Sequence, residues 1–149
     1  MSGVSGEVEL REVEPGDLPA IYEHQADPVA SAMAEFPSRD RPAFDAHWAR
    51  VLADPAVMIR TIVVDGEVAG AVQSWPGDGQ RLAGYWIGRE FWGRGIASAA
   101  LAQFLELDRE RPLHAHVAEA NAGSRRVLEK CGFVRGADLD NGLAYVLRS

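Results

Sequence analysis

Residues 84–110 have the sequence GYWIGREFWGRGIASAALAQFLELDRE, and this stretch decides how the rest of the chain is interpreted. Its first four residues are apolar and aromatic, which predicts a short buried strand. A glycine-bearing turn, W-G-R-G, follows, and a helical pattern begins directly after it, with Ala97, Leu101 and Phe104 spaced to share one face. The stretch therefore predicts a strand, a glycine turn and a helix in direct succession.

This succession is typical of an anion-binding site. The start of a helix leaves about four backbone N–H groups without partners, and the helix dipole adds partial positive charge there. Glycine allows positive φ and a close approach of the ligand to the backbone. Ser98, in the first turn, would add a hydroxyl donor. Such a turn can receive phosphate; the alternative is a tight turn that binds no ligand.

The spacing of the turn excludes two common phosphate-binding motifs. A P-loop requires a lysine after its last glycine, and none follows Gly95. A dinucleotide fingerprint requires a third glycine where this chain has Ser98, and no βαβ unit surrounds the turn.

A second motif, NAGSRRVLEKCGF at residues 121–133, decides between the remaining families. Together the two motifs resemble the GNAT superfamily of acyl-CoA-dependent N-acetyltransferases. The loop pattern of that family, [QR]-x-x-G-x-[GA], corresponds to WGRGIA at 92–97, and its helix pattern L-E-K-x-G-F to residues 128–133. The chain looks most like the branch that includes ribosomal-protein N-terminal acetyltransferases.

The order of predicted elements is β-α-α-β-β-β-α-β-α-β-β, which matches the GNAT arrangement. The predicted helices cover 15–25 and 41–53, a long stretch that begins after the glycine turn and is ended by Pro112, and a stretch that Asn121 caps and Gly132 ends; 26–40 is irregular. The strands follow turn signals at 65–66, 76–79 and 140–142. The resemblance implies an α/β (α+β) GNAT fold in a single domain over residues 1–149, of which 1–6 are flexible. Its central sheet is mixed, mostly antiparallel and splayed, with six or seven strands. About four helices accompany the sheet.

The resemblance implies an acetyl-CoA-dependent N-acetyltransferase that moves an acetyl group to a primary amine by direct attack in a ternary complex. It assigns the CoA site to Ile87, Gly88, Trp92, Gly93, Arg94, Gly95, Ile96, Ala97, Ser98, Asn121 and Ser124. The loop amides would hold the pyrophosphate, and the backbone of Ile87 would polarise the thioester carbonyl. Trp92 stands where the family usually has Gln or Arg.

Two residues at the second motif have competing interpretations. By resemblance, Asn121 would bind the cosubstrate and Ser124 would donate a proton to the leaving sulfur. Asn121 is also a good helix N-cap, and Ser124 can be an ordinary first-turn serine. Many family members have a tyrosine as general acid where this chain has Leu128, so the acid is expected to be Ser124.

The general base is expected in the segment between the first two predicted helices. An amine with a pKa near 10 must lose a proton before it attacks. Glu35 lies in that segment beside Met33 and Phe36, which would raise its pKa if it were buried. Glu119 and His116 are the alternatives. His116 shares a strand face with only one other histidine, so no metal site is predicted.

Charge and cysteine content indicate which classes of partner and which cellular compartment to expect. The net charge of −7 argues against nucleic acid and favours cationic substrates such as amines. Four arginines nevertheless surround the two motifs, which suits a ligand with several phosphates: Arg89, Arg94, Arg125 and Arg126. The absence of an 18-residue apolar run and of a leader predicts no membrane partner, and the single cysteine, Cys131, favours the cytoplasm.

Several functional alternatives stay open at this point. The chain can be a GNAT-fold acyl-CoA-binding or regulatory module without turnover, or an enzyme that uses a longer acyl group. The acceptor can be an amine-bearing small molecule or a protein N-terminus. By resemblance, a homodimer is possible.

Overall fold

The computed structural model describes residues 7–34, 38–77, 79–140 and 142–149. Within these ranges there are seven strands: β1 (Val8–Arg11), β2 (Met58–Val64), β3 (Glu67–Gly77), β4 (Gln80–Ile87), β5 (Leu113–Val117), β6 (Val134–Leu139) and β7 (Gly142–Leu147). The same ranges contain five α-helices: α1 (Leu18–Ala26), α2 (Pro28–Ala34), α3 (Arg41–Ala53), α4 (Ile96–Leu107) and α5 (Ala122–Lys130). Single 3₁₀ turns lie at Pro15–Asp17 and Arg89–Phe91. The stretch 1–6, the candidate base Glu35 and the turn residues Asp78 and Asn141 lie outside the described residues.

All seven strands form one sheet in the order β1-β2-β3-β4-β5-β7-β6. Every neighbouring pair is antiparallel except β4 and β5, which run parallel. Their pairing comprises Arg81 with Leu113 and Leu82 with His114, although both strands, fully described, continue beyond these positions. The sheet therefore splays at its centre, and the mixed, mostly antiparallel GNAT sheet expected from the sequence is confirmed.

Buried apolar side chains pack α1, α3 and α4 against the sheet. In α4 these are the side chains of Ile96, Ala100, Leu101 and Phe104, which belong to the larger core cluster. A smaller cluster joins α1 and α3 to β2 and β3 through Ile21, Phe44, Trp48, Ile59 and Ala71. Full burial of one such large side chain contributes about 1.5–3 kcal/mol. None of the helices in the described ranges is both long and apolar enough to cross a bilayer.

Helix α2 occupies part of the segment that the sequence indicated to be irregular. Pro28 suits the first position of a helix because its missing N–H has no partner there in any case. Val29 and Met33 are both exposed, so the larger apolar side chains of this short helix do not form a buried stripe. The helix therefore lacks the periodic signal on which sequence interpretation depends.

Helix α4 ends at Leu107, well before the expected stop at Pro112. Asp108 leaves the helix in an extended conformation, and its carboxylate accepts hydrogen bonds from the Ser74 hydroxyl and from Arg81 Nε. A tertiary contact therefore sets this boundary.

Strand β3 extends through the first half of the turn predicted at 76–79, and Pro76 pairs with Arg81. Proline is tolerated there because β2 begins only at Met58, opposite Ser74. The side of Pro76 that lacks an N–H therefore lies beyond the end of β2.

Candidate functional site

The loop between β4 and α4 forms an uncapped helix start. Gly93 and Gly95 both have φ of 75°, a conformation that other residues adopt only with strain. Gly95 is the N-cap of α4 and has no side chain that could accept a capping hydrogen bond from the first turn. The backbone N–H groups of the first helical residues, Ile96 to Ser98, are therefore available for a ligand.

A groove of about 580 Å³ lies in front of this loop, between α2, β4, α4 and α5. Its lining includes most of the residues that the sequence assigned to CoA: Ile87, Trp92, Gly93, Gly95, Ile96, Ala97, Ser98, Asn121 and Ser124. Gly88 and Arg94 lie beside the groove without lining it. The Arg94 guanidinium lies 5.5 Å from the centre of the Phe91 ring.

A second helix begins at the same groove. The Asn121 side chain caps α5 by accepting a hydrogen bond from the Ser124 N–H at 3.2 Å. The first residues of α5 line the groove together with Arg126 and Lys130. Two helix N-termini and two cationic side chains thus direct positive charge to one groove, as an anionic ligand requires.

The predicted arginine cluster is only partly directed at the groove. Arg89 forms an ion pair with Asp27 at 2.9 Å. Arg125 donates to a backbone carbonyl and lies 3.4 Å from a tyrosine hydroxyl on β7. Arg126 lines the groove, and Lys130, the only lysine of the chain, adds a charge that the cluster did not include.

The end of β4 presents backbone to the groove. Gly88 N–H donates to the Ala69 carbonyl at 2.8 Å, and neighbouring residues of an antiparallel strand point to opposite sides. The N–H of Ile87 therefore faces away from β3, toward the splay. The Ile87 carbonyl accepts the Trp92 indole N–H at 3.0 Å, which leaves the N–H of Ile87 directed at the groove.

Tyr85 is the functional candidate that the sequence interpretation missed. Its hydroxyl oxygen lies 2.8 Å from Ser124 Oγ, and either atom can be the donor. Burial raises the pKa of Tyr85 to about 12, although the bond to Ser124 acts in the opposite direction. The family resemblance indicated a catalytic tyrosine only at the position of Leu128. The alternation of side chains along β4, which places Tyr85 on the face opposite its neighbours, was the available signal.

A second cavity, of about 280 Å³, lies on the other side of the splay, next to α1 and α3. It shares with the groove the lining residues Ala34, Tyr85, Trp86, Asn121 and Ser124. Two cavities therefore meet at the Tyr85–Ser124 hydroxyl pair. One lies at the uncapped helix start, and the other lies between the helices and the sheet.

The expected bases are placed differently. Glu35 lies outside the described residues, but its neighbour Ala34 lines both cavities. His116 lines the second cavity, and Glu119 is exposed and lines neither. Among the described residues, no three His, Cys, Asp or Glu side chains are grouped so that they could hold a metal ion.

His24 packs against Gly88 at the start of the loop between β4 and α4. A Cβ on Gly88 would lie 2.5 Å from the His24 ring, so glycine is required for this close approach. The His24 carbonyl accepts the Trp86 indole N–H at 3.0 Å, and its Nε2 lies 3.6 Å from Glu90. Within the described residues, its buried Nδ1 has no hydrogen-bond partner. Burial lowers the pKa of His24, although Glu90 acts in the opposite direction.

Comparisons with known proteins agree with this geometry. The sequence model of the Acetyltransferase (GNAT) domain matches residues 7–134. No curated protein matches the chain.

Solved structures are similar over nearly the whole chain. The acetyltransferase from Agrobacterium tumefaciens str. C58 has a TM-score of 0.81 at 21% identity, covering 98% of this chain and 94% of its own. Spermidine N-acetyltransferase from Vibrio cholerae, in complex with CoA and spermine, has a TM-score of 0.78 at 19% identity, covering 93% and 91%. AAC(6')-Ib, in complex with ribostamycin and coenzyme A, has a TM-score of 0.79 at 21% identity, covering 95% and 93%. At such identities the structures establish the fold, while the sequence match spans most of the chain and establishes the family. This chain therefore belongs to the GNAT family of N-acetyltransferases.

Proposed function

We propose that this chain transfers an acetyl group from acetyl-CoA to a primary amine by direct attack within a ternary complex. The observation that carries the proposal is the meeting of two cavities at the Tyr85–Ser124 hydroxyl pair. One cavity suits a phosphate-bearing cosubstrate, and the other leaves room for an acceptor. The structures similar in fold include complexes with CoA and with amines, namely spermine and ribostamycin.

The groove fits CoA in one orientation. Its pyrophosphate would lie at the amides of the Gly93–Ser98 turn, with Arg126 and Lys130 contributing charge. The pantetheine arm would extend along the unpaired side of β4, where the Ile87 N–H faces the groove. The thioester would then reach Ser124 at the junction of the two cavities. A cosubstrate of central metabolism also agrees with the cytoplasmic location expected from the sequence.

The residues at the junction can carry the acyl-transfer steps. The neutral amine attacks the thioester carbonyl, a C–N bond forms, and the Ile87 N–H stabilises the developing oxyanion. The C–S bond then breaks; Ser124 Oγ–H donates its proton to the departing sulfur while Oγ takes up the proton that the new amide nitrogen loses, giving CoA, an amide and an unchanged serine. Glu35 remains our proposed base for the amine proton. The Tyr85 hydroxyl holds Ser124 Oγ in place during these steps.

The proposal is tested by calorimetric titration with acetyl-CoA, CoA and ATP. We expect acetyl-CoA and CoA to bind with micromolar affinity and ATP to bind much more weakly, because ATP lacks the pantetheine arm. Gly95→Val should abolish binding, because it strains a positive φ and fills the helix start.

Gly66→Val is the matched control, because Gly66 also has a positive φ, 81°, but lies in the β2–β3 turn away from the groove. It should keep full affinity. An amine-dependent release of free CoA thiol then measures turnover. A protein that gives no heat with acetyl-CoA would overturn the proposal. Normal binding with no amine-dependent thiol release would favour the binding module without turnover.

A further inference from the structure

The second cavity has flat aromatic walls. Phe44 and Trp48 of α3 lie on one side, and Trp75 of β3 lies on the other. The Trp75 ring lies across β4 at Gly84, where a Cβ would be in ordinary contact with the indole at 3.4 Å. Aromatic faces of this kind suit a ring or another compact apolar group.

The polar groups of this cavity are unequally distributed. The hydroxyl pair of Tyr85 and Ser124 lies where the cavity meets the CoA groove, whereas Arg39 and His47 line it from the segment before α3 and from α3 itself. The buried Gln25 side chain fixes the backbone of Arg39, accepting from its N–H at 3.1 Å and donating to its carbonyl at 3.2 Å. Arg39 is therefore positioned as part of the wall.

Two cationic side chains, Arg39 and Arg50, act on His47 on the α3 side of the cavity. Burial lowers the pKa of His47, and the charges of Arg39 and Arg50 lower it further. Arg50 Nη2 lies 3.3 Å from His47 Nδ1, and since a guanidinium only donates, Nδ1 accepts. The neutral ring therefore carries its proton on Nε2. Arg39 carries a positive charge and the Nε2–H of His47 is a hydrogen-bond donor, and an anion is bound by groups of both kinds.

We propose that the acceptor is a small primary amine whose aromatic or apolar body carries an anionic group at the end opposite the amine. The amine lies at Ser124, the body lies between the aromatic walls, and the anion binds Arg39 and His47. This assignment rests on the proposed function and specifies its substrate class. It differs from spermine and ribostamycin, which carry only amines as charged groups and would bring positive charge toward Arg39.

The test compares para-(aminomethyl)benzoate with para-(aminomethyl)benzamide, which is the same molecule without the charge, and with spermidine. Binding to the CoA-saturated protein is measured by calorimetry, and turnover by thiol release. We expect the benzoate to bind about tenfold more tightly than the benzamide, corresponding to one charge-assisted contact. Spermidine should be the poorest of the three.

Two variants locate the effect. Arg39→Gln should remove the preference by weakening the benzoate about tenfold while leaving the benzamide unchanged, and Arg39→Lys should restore part of it. Arg109→Gln is the control for net charge, because Arg109 is an exposed partner of Glu106 and lines neither cavity. It should change nothing.

The outcomes separate this inference from the function beneath it. Equal binding of benzoate and benzamide, a preference for spermidine, or no binding of any probe overturns the anionic acceptor while acetyl-CoA binding stands. A benzoate preference that survives Arg39→Gln also overturns it. Loss of acetyl-CoA binding in the wild-type protein overturns the proposed function itself.

Discussion

The hydroxyl oxygen of Tyr85 on β4 lies 2.8 Å from Ser124 Oγ in the first turn of α5. The two residues come from opposite sides of the splay, so the contact spans the junction of both cavities. The raised pKa of Tyr85, about 12, keeps the phenol protonated at neutral pH. We propose that Tyr85 acts by positioning Ser124 through this contact.

Removing the hydroxyl of Tyr85 should test whether it acts through Ser124. We expect Tyr85→Phe to lower kcat about tenfold with little change in KM for acetyl-CoA, and Ser124→Ala to lower kcat further. The double variant should be no slower than Ser124→Ala alone, because Tyr85 acts through the serine. Steady-state thiol release measures all three variants. Additive losses in the double variant would contradict a positioning role.

The Arg81–Asp108 ion pair, at the end of the splay where β4 and β5 are paired, should contribute strongly to the free energy of unfolding. Arg81 Nε lies 2.9 Å from Asp108 Oδ2, both side chains are largely buried, and Ser74 bonds to both. Asp108→Asn leaves the buried guanidinium uncompensated, so we expect a loss of about 3–5 kcal/mol in the free energy of unfolding. Glu106→Gln breaks the exposed pair with Arg109 and should cost less than about 1 kcal/mol. Urea denaturation compares them, and similar losses would contradict the assignment.

The carboxylate of Asp17 should make stability fall in acid. Two hydrogen bonds from Arg11, at 2.7 and 2.8 Å, lower its pKa to about 2, with burial acting in the opposite direction. Its contribution is fully present above the unfolded value of 3.8 and is lost as the pH falls through about 2. Thermal unfolding followed downward from pH 5 should show this loss in the wild type and much less of it in Asp17→Asn. An Asp45→Asn control, at an exposed pair, should retain the acid-dependent loss.

The buried His24 predicts a second acid effect, at higher pH. Because burial lowers its pKa below 6.5, the unfolded chain binds the proton more readily than the folded one. Stability should therefore decline as the pH falls below 6.5, until the lowered folded pKa is passed. His24→Leu should reduce this decline, whereas His116→Gln, at an exposed residue, should not. An unchanged decline in His24→Leu would assign it to another group.

Apart from α2, the order of the elements and the glycine turn before α4 could be predicted because they depend on local patterns. The apolar spacing of α3 and α4 is visible within each helix, and the glycines at positive φ lie within the turn that they form. The end of α4 at Leu107 could not be predicted, because Asp108 is drawn out of the helix by Ser74 and Arg81, which are distant in sequence. Helix α2 was missed because its larger apolar side chains are exposed.

The candidate site was predictable only where one motif held it. Asn121 and Ser124 lie in such a motif. The Tyr85–Ser124 contact, in contrast, joins residues that are 39 positions apart and belong to no common motif. The second cavity combines residues of α1, α3, β3 and β4 that no single pattern connects. Its lining follows from the splay, and the splay follows from a parallel pairing of only a few residues.

The unpaired side of β4 has a consequence for solubility as well as for binding. An open strand edge normally invites another polypeptide strand, and natural proteins protect such edges from aggregation. Here the edge lies inside the molecule, with α2, α4 and α5 bordering the groove that leads to it. A ligand arm without side chains can follow this passage, whereas the edge of a second protein is too broad. The fold thus leaves the unpaired backbone of β4 accessible to a narrow ligand, while neighbouring proteins cannot pair with it.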